Sequence, residues 1–379
     1  MERANRIVVV ALAILVAVAC TSTEDQSSVR PSSGGGSPTE SPAGQSQTGG
    51  DIVFNRGTPT GIAVHALDLD TGTGRQIREV EDFVTLSPDG SRFSSAVPGS
   101  DGRITPEMFN VDGSGYTLLP IDDPTLQLGA GGWSPDGKRM VAGGWDDTDP
   151  SRSGLYTFRS ATGGDLVRLT KPGNPPNDYA VAYSPDGANV LFIREKEPYD
   201  HSGPMNVFVV GKDGSDLVRL NPPGTTSLLD GQSWSPDGRQ VAFVASNDAI
   251  GEGNAVFVVD VDGTNAQRIT PWNFTLRAEW SPDGEWIAFD MAESEPVPRD
   301  LFLVHPDGTE LTQITSNEDN KMSFAPAWSP DSRALLFIRR EYTEGSTDLW
   351  TVNVDGTGLS QVTHEPAEYT GYRWFPSTG

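Results

Sequence analysis

The chain has 379 residues, with 52 acidic residues against 27 Lys and Arg, a formal net charge of −25 and one cysteine. That balance excludes the basic footprint needed to hold nucleic acid or an anionic lipid surface, and one cysteine excludes a disulfide framework. Gly (42) and Pro (29) are abundant, but together they stay under the roughly 25–30% of low-complexity disorder, so they read as turn residues in an ordered array.

In chain order, Met1–Arg6 carries Arg3 and Arg6, and Ile7–Ala19 is an unbroken apolar run that ends at Cys20. The run suits a signal-peptide core and falls short of the roughly 20 residues that span a bilayer. Ala17-Val18-Ala19 are small residues of the kind that precede a cleavage site. Residues 1–19 therefore read as a signal peptide. The segment resembles a bacterial lipoprotein signal, with Ala17 where a leucine is usual. The resemblance implies that Cys20 is lipidated and that the exported protein is anchored to the outer side of the cytoplasmic membrane. An ordinary signal peptide with an incidental cysteine is the alternative. Residues 20–50 follow as a Ser/Thr/Gly/Pro-rich tether, too polar to bury a core. As a flexible coil it reaches on the order of 30 Å.

The first strand-forming runs are Ile52–Phe54, Ile62–Leu69 and Arg75–Ile77. After them come six Ser-Pro-Asp-(Gly/Ser) turns, with prolines at 88, 135, 185, 236, 282 and 330 and hence steps of 47, 50, 51, 46 and 48 residues. Such a period signals a repeat architecture. Pro sets the first corner, Asp occupies the second, and Gly takes the left-handed position of a tight hairpin. Ser332 replaces that Gly in the sixth copy, at a cost of roughly 1 kcal/mol if it stays left-handed. A further step of 46 from Pro330 reaches Pro376, in a degenerate seventh copy, Trp374-Phe375-Pro376-Ser377.

Each turn is preceded by an apolar run that ends, Leu86 apart, in an aromatic: Trp133, Tyr183, Trp234, Trp280, Trp328 and Trp374. A second run follows the turn, and a third and fourth flank an Asp-Gly signal, as in Val256–Val261 and Ala266–Thr270 around Asp262-Gly263. Each unit thus reads as four short antiparallel strands. The chain is expected to be an all-β β-propeller of four-stranded blades. The three runs of residues 51–77 lack an inner strand unless Gly371–Phe375 supplies it, so seven blades closed by the C-terminal strand are expected, with six blades as the alternative.

Trp-Ser-Pro-Asp-Gly, an apolar strand and an Asp-Gly hairpin closing in Arg-(Leu/Ile)-Thr, as in Trp280–Gly284 and Asp262–Thr270, resemble the TolB-type repeat of the PD-repeat, WD-like family. The resemblance covers residues 51–379 and implies a propeller, while the function of a propeller is set by its sites. The α/β domain that precedes the propeller in TolB has no counterpart in residues 1–50, so the chain is not expected to be an orthologous copy of TolB.

Blade topology places both turn families on one face. The opposite face takes the loops between second and third strands and those linking blades, where functional residues concentrate. Candidates there are the acidic Asp146, Asp147, Asp200, Glu293 and Glu295 and the aromatic Trp145, Tyr199, Trp272, Phe274 and Tyr342. The acids suit a cation such as Ca²⁺ or a basic surface, although charged loop residues are commonly just solvated. The aromatics suit a partner anchor or packing between blades. Trp272 and Phe274, in a loop feeding an inner strand, are expected near the channel mouth. Asp300 and Asp348, each just before a third strand, read as backbone caps. No Gly-x-Ser-x-Gly elbow, His-Glu-x-x-His helix or phosphate loop occurs, and His65, His201, His305 and His364 fall on unrelated elements. The expectation is a monomeric non-enzymatic envelope lipoprotein with no cofactor and no nucleic acid, which binds a protein or cell-wall partner. An enzyme or a binder of carbohydrate or Ca²⁺ in the central channel is the alternative.

Overall fold

The computed structural model describes residues 51–58, 61–81, 84–171, 177–195, 205–247, 253–292, 298–316, 321–341, 347–364 and 367–375. Among the described residues the strands fall into consecutive antiparallel sets, here called blades, each running from an inner to an outer strand. Blade 1 joins Tyr369–Phe375 to Asp51–Thr58, Gly61–Asp68 and Thr73–Val80. Blade 2 is Thr85–Leu86, Arg92–Pro98, Ile104–Asn110 and Thr117–Leu118, and blade 3 is Gln127–Leu128 with Gly132–Trp133, then Arg139–Trp145, Gly154–Arg159 and Val167–Arg168. Blade 4 is Asn177–Tyr183, Asn189–Glu195, Met205–Gly211 and Val218–Arg219. Blade 5 is Thr225–Trp234, Gln240–Asn247, Asn254–Asp260 and Gln267–Arg268, joined to blade 4 through the single pair Met205 and Ser227. Blade 6 is Phe274–Trp280, Ile287–Ala292, Asp300–Val304 and Thr312–Gln313, and blade 7 is Lys321–Trp328, Ala334–Glu341, Asp348–Asn353 and Ser360–Gln361.

The ends of the chain share one sheet. Asp51 pairs with Phe375 and Ile52 with Trp374, so the C-terminal strand is the inner strand of blade 1, as the repeat count required. Closure of this kind leaves no long free edge for another chain to extend. The exposed outer strands are short as well, only two paired residues in blades 2 to 7.

The apolar core lies in the seams between blades. Val64 and Val80 of blade 1 meet Phe93 and Phe109 of blade 2, Met108 of blade 2 meets Met140 of blade 3, and Val141 of blade 3 meets Val190 and Phe192 of blade 4. The same contact continues through Ile193 and Val241, Val244 and Phe289, and Leu303 and Phe337, and returns to blade 1 through Leu336 and Ile52. Every blade is thus a sheet with two buried faces, which is why its second strand is an almost continuous apolar run. At the blade centres a phenylalanine of the second strand faces one of the third: Phe192 and Phe208 at 5.5 Å, Phe243 and Phe257 at 5.7 Å, Phe289 and Phe302 at 5.8 Å between ring centroids. Cross-strand aromatic pairs are favourable in both area and geometry.

The turns obey their sequence. In all six Ser-Pro-Asp turns the serine hydroxyl donates to the aspartate at 2.5–2.8 Å and accepts the amide five residues on at 2.9 Å. Gly187, Gly238 and Gly284 have φ of 69°, 70° and 78°, and a Cβ at each would lie 3.4, 3.4 and 3.6 Å from Cδ of Pro135, Pro185 and Pro236 of the preceding blade. Asp112, Asp262, Asp307 and Asp355 of the Asp-Gly hairpins each accept a hydroxyl two residues on at 2.6 Å. The threonine of the Arg-(Leu/Ile)-Thr motif also has a task. Thr170 and Thr270, and the equivalent Thr315 and Thr363 that follow Gln-Ile and Gln-Val, accept the third-strand amides of Leu155, Val256, Leu301 and Leu349 at 2.8–3.0 Å.

The carboxylates of Asp300 and Asp348 accept the hydroxyls of Thr315 at 3.0 Å and Thr363 at 3.2 Å, the same threonines that hold the third-strand amides. The inner strand of blade 3 is in two short pieces, and between them Gly131 lies so close to the second strand that a Cβ there would stand 2.7 Å from the Val141 carbonyl oxygen.

Candidate functional site

On the loop face the most completely defined constellation sits at the seam of blades 2 and 3. Trp145 ends the second strand of blade 3 and is half-buried, paired with Gln127. Asp146 follows and is 3% exposed. Its carboxylate accepts the Thr148 amide and hydroxyl at 2.8 and 2.6 Å, the Thr125 hydroxyl at 2.6 Å and Arg152 Nη1 at 2.8 Å. The hydroxyls of Thr125 and Thr148 hold its pKa well below the carboxylate range. Arg152 stands on the short 3₁₀ turn Pro150–Arg152 and also pairs with Asp123 from the loop linking blades 2 and 3. Burial opposes ionisation of Asp123, but Arg152 and the amides of Thr125 and Leu126 lower its pKa overall. Asp147 is exposed and accepts Gln127 Nε2 at 2.8 Å. The result is a pre-organised acidic platform with Asp147 outermost.

Acids at the strand ends that border these loops are engaged within the protein. Glu195 is fully buried and accepts the Tyr179 hydroxyl at 2.9 Å, Asp178 takes Arg194 in a fork at 2.6 and 2.8 Å, and Glu341 lies 3.7 Å from Lys321. Among the described residues no group of three or more His, Cys, Asp or Glu is placed to hold a metal ion. Tyr199, Asp200, Glu293, Glu295 and Tyr342 lie outside the described residues, as does Cys20.

Trp272 stands elsewhere than expected. Its ring packs against Phe257 at 5.9 Å and beneath the Arg268 guanidinium at 5.0 Å, over the outer half of blade 5 and away from the channel mouth. Only four positions separate it from the outer strand that it leaves. Phe274 opens the inner strand of blade 6, and its carbonyl accepts Arg299 Nη1 at 3.4 Å.

The channel wall is laced from blade to blade. Thr85 Oγ1 donates to the Gly131 carbonyl at 2.8 Å, Ser233 Oγ to that of Ala278 at 3.1 Å, and Trp328 Nε1 to that of Glu279 at 2.9 Å. Trp234 Nε1 reaches the Ala182 carbonyl at 3.4 Å, and the Tyr372 hydroxyl donates to that of Ala325. Of the aromatics before the turns, Trp234 and Trp328 thus reach the inner strand of the preceding blade, whereas the buried Nε1 atoms of Trp133, Trp280 and Trp374 have no hydrogen-bond partner among the described residues. Arg277 and Glu279 of blade 6 and Arg373 of blade 1 also lie on inner strands. Burial raises the pKa of Glu279, against the charges of Arg373 and Arg277. On the outer flank, a cleft of about 390 Å³ between blades 6 and 7 is lined by Gln313, Thr315, Arg339, Val352 and Leu359.

Comparison with solved structures decides the architecture. An oligogalacturonate lyase from Vibrio parahaemolyticus is 14% identical, with 80% of this chain and 91% of that one covered and a TM-score of 0.59. The fold is a β-propeller. The β-propeller domain of the Trilobed protease from Pyrococcus furiosus is 12% identical, with 83% and 94% covered and a TM-score of 0.58. That domain has an open velcro topology, whereas here the terminal strands pair. A putative TolB from Agrobacterium tumefaciens is also similar, at 15% identity, with 88% and 100% covered and a TM-score of 0.49. At such identities the likeness is of fold alone. No protein-family model and no curated protein matches the chain.

Proposed function

We propose that this chain is a lipid-anchored, non-enzymatic propeller of the bacterial cell envelope whose loop face binds a protein or cell-wall partner. The observation that carries the reading is the contrast between the faces. On the turn face, serine, aspartate and glycine serve the hairpins and the neighbouring blade. On the loop face, Arg152 fixes one carboxylate from blade 3 and one from the loop linking blades 2 and 3, and leaves Asp147 and Asp149 exposed beside them. Pre-organised charge of this kind lowers the ordering cost of association and steers a basic partner. The leader ending at Cys20 supports export and anchoring.

A photo-crosslinking residue at position 147 of the full chain in cells, compared with one at position 262 on the turn face, tests the reading. Capture of one discrete partner from 147 and not from 262 is expected. Equal capture from both, or none from 147, overturns it. Cys20→Ser should release the protein from the membrane fraction, and continued retention contradicts lipidation.

A further inference from the structure

The chain has nine tryptophans, all of them among the described residues. Eight pack into the apolar clusters of the seams. Trp145, at the loop-face end of the second strand of blade 3, joins none of these clusters and is only half-buried. Its ring lies beside a glycine, for a Cβ on Gly129 would stand 3.9 Å from Trp145 Cζ3. A ring so placed keeps apolar surface for a contact from outside.

A fixed carboxylate stands on the same side. Trp145 is the cross-strand partner of Gln127, so the two side chains share a face. Gln127 is 8% exposed, accepts the Ile104 amide at 3.1 Å through Oε1 and donates from Nε2 to Asp147 Oδ2 at 2.8 Å. Gln127 thus ties the Asp147 carboxylate to the side from which the indole projects. Asp147 is exposed, and its Oδ1 makes no hydrogen bond among the described residues.

Elsewhere the protein covers aromatic rings with its own guanidinium groups. Arg78 lies over Tyr116 at 4.2 Å, Arg194 over Phe208 at 5.0 Å, Arg268 over Trp272 at 5.0 Å and Arg339 over Trp350 at 5.3 Å. Among the described residues no cation is stacked on Trp145 in this way. The arginines that reach this rim are committed: Arg152 to Asp123 and Asp146, and Arg103 to Asp101 and the Asp123 carbonyl. Asp122, Asp147 and Asp149 are exposed in the adjoining loops, so the surroundings are acidic.

We propose that Trp145 and Asp147 clamp a guanidinium supplied by a basic segment of the partner, the arginine lying on the indole face while its fork pairs with the Asp147 carboxylate. A guanidinium is planar and meets a flat ring and a carboxylate at once, whereas an ammonium acts as a point charge. The surrounding carboxylates reject an anionic segment. The inference rests on the loop-face reading and adds to it the chemistry of the partner.

Calorimetric titration of the full chain in detergent with hexa-arginine, hexalysine and chitotetraose tests the clamp. Salt of about 0.15 M screens diffuse attraction to a chain of net charge −25. Hexa-arginine should bind at least about fivefold more tightly than hexalysine, and chitotetraose should not bind. Asp147→Asn should weaken hexa-arginine about fivefold or more, and Asp262→Asn, the same charge change on the turn face, less than about twofold. Trp145→Leu should weaken it about fivefold as well; should that variant disturb folding, Trp145→Phe keeps a ring of weaker quadrupole and should lose part of the affinity. Equal affinity for the two peptides, equal sensitivity to Asp147→Asn and Asp262→Asn, indifference to both Trp145 variants, or Trp145-dependent binding of chitotetraose in place of the peptide overturns the clamp. The loop-face reading is judged separately by crosslinking: a partner captured from position 147 without hexa-arginine binding refutes the clamp alone.

Discussion

The Ser332 hydroxyl accepts a hydrogen bond at 3.1 Å from the backbone amide of Asp283, a residue in the turn of the preceding blade. Ser332 has φ of 61°, so it occupies the left-handed position that glycine fills in the other five Ser-Pro-Asp turns. The strain expected from the sequence is present, and a bond between blades accompanies it. Ser332→Ala should destabilise the propeller by about 1 kcal/mol, since strain stays and the bond goes. Ser332→Gly should be near neutral, because relief of about 1 kcal/mol of strain offsets the lost bond. Denaturation midpoints at constant m-value distinguish the two, and an alanine variant as stable as the wild type would show that the bond contributes nothing.

Phe243 is fully buried and stacks on Phe257 at the centre of blade 5. Phe243→Ala should cost about 3–5 kcal/mol, through lost transfer energy and the cavity left behind. Its effect should spread to the seam with blade 4, because Phe243 packs in the same cluster as Leu191 and Val207. Hydrogen exchange of blade 4 and 5 amides checks this, and protection lost in blade 5 alone would refute the shared seam.

Glu107 is 2% exposed, its Oε1 has no hydrogen-bond partner among the described residues, and burial raises its pKa against the Tyr116 hydrogen bond. A folded-state pKa above the unfolded value means that the folded state holds the proton more tightly. The group therefore favours folding most below the unfolded pKa of about 4.3, and this contribution declines as pH rises towards the folded pKa. Glu107→Gln should accordingly raise the melting temperature at pH 7 and lose that advantage near pH 4. Asp89 acts in the opposite sense: the hydroxyls of Ser87 and Ser91 lower its pKa to about 2. Its contribution is complete above the unfolded value of about 3.9 and is lost as pH falls through about 2. A Glu107→Gln gain that did not vary with pH would point to packing in place of ionisation.

Arg152→Ala removes the cation shared by Asp123 and Asp146. Proteolysis within residues 146–153 should accelerate by about tenfold, with little change in the global midpoint, because the charge-assisted bonds lost hold loops at the rim and not the apolar core between blades. Arg152→Lys should restore only part of the protection, since the ammonium lacks the fork that serves both carboxylates. Unchanged cleavage in both variants would mean that the platform is rigid without its arginine.

The fold was legible because its determinants are local and repeated. A Ser-Pro-Asp-Gly turn satisfies its own polar groups within six residues, as Ser184 does with Asp186 and Asn189, so the turn reads the same in sequence and in space. The closing strand emerged from the spacing of the turns alone. The Phe243 and Phe257 pair was not singled out, since each residue by itself is one apolar position in a strand. The charged groups were far less legible. Asp146 and Asp123 are joined through Arg152, so nothing nearby in sequence marks the grouping. Trp272 packs on the strand its loop leaves, through Phe257 and Arg268, whereas its position in sequence points equally to the strand that the loop feeds.

The pairing of Asp51 with Phe375 has a geometric consequence for an anchored molecule. Phe375 is the last residue of an inner strand, at the rim where Ser-Pro-Asp turns begin in the other blades, so the chain enters the ring at that rim. Under the proposed attachment through Cys20, the disc is therefore tied by its monotonous side, and the loop face lies on the side opposite that point of entry.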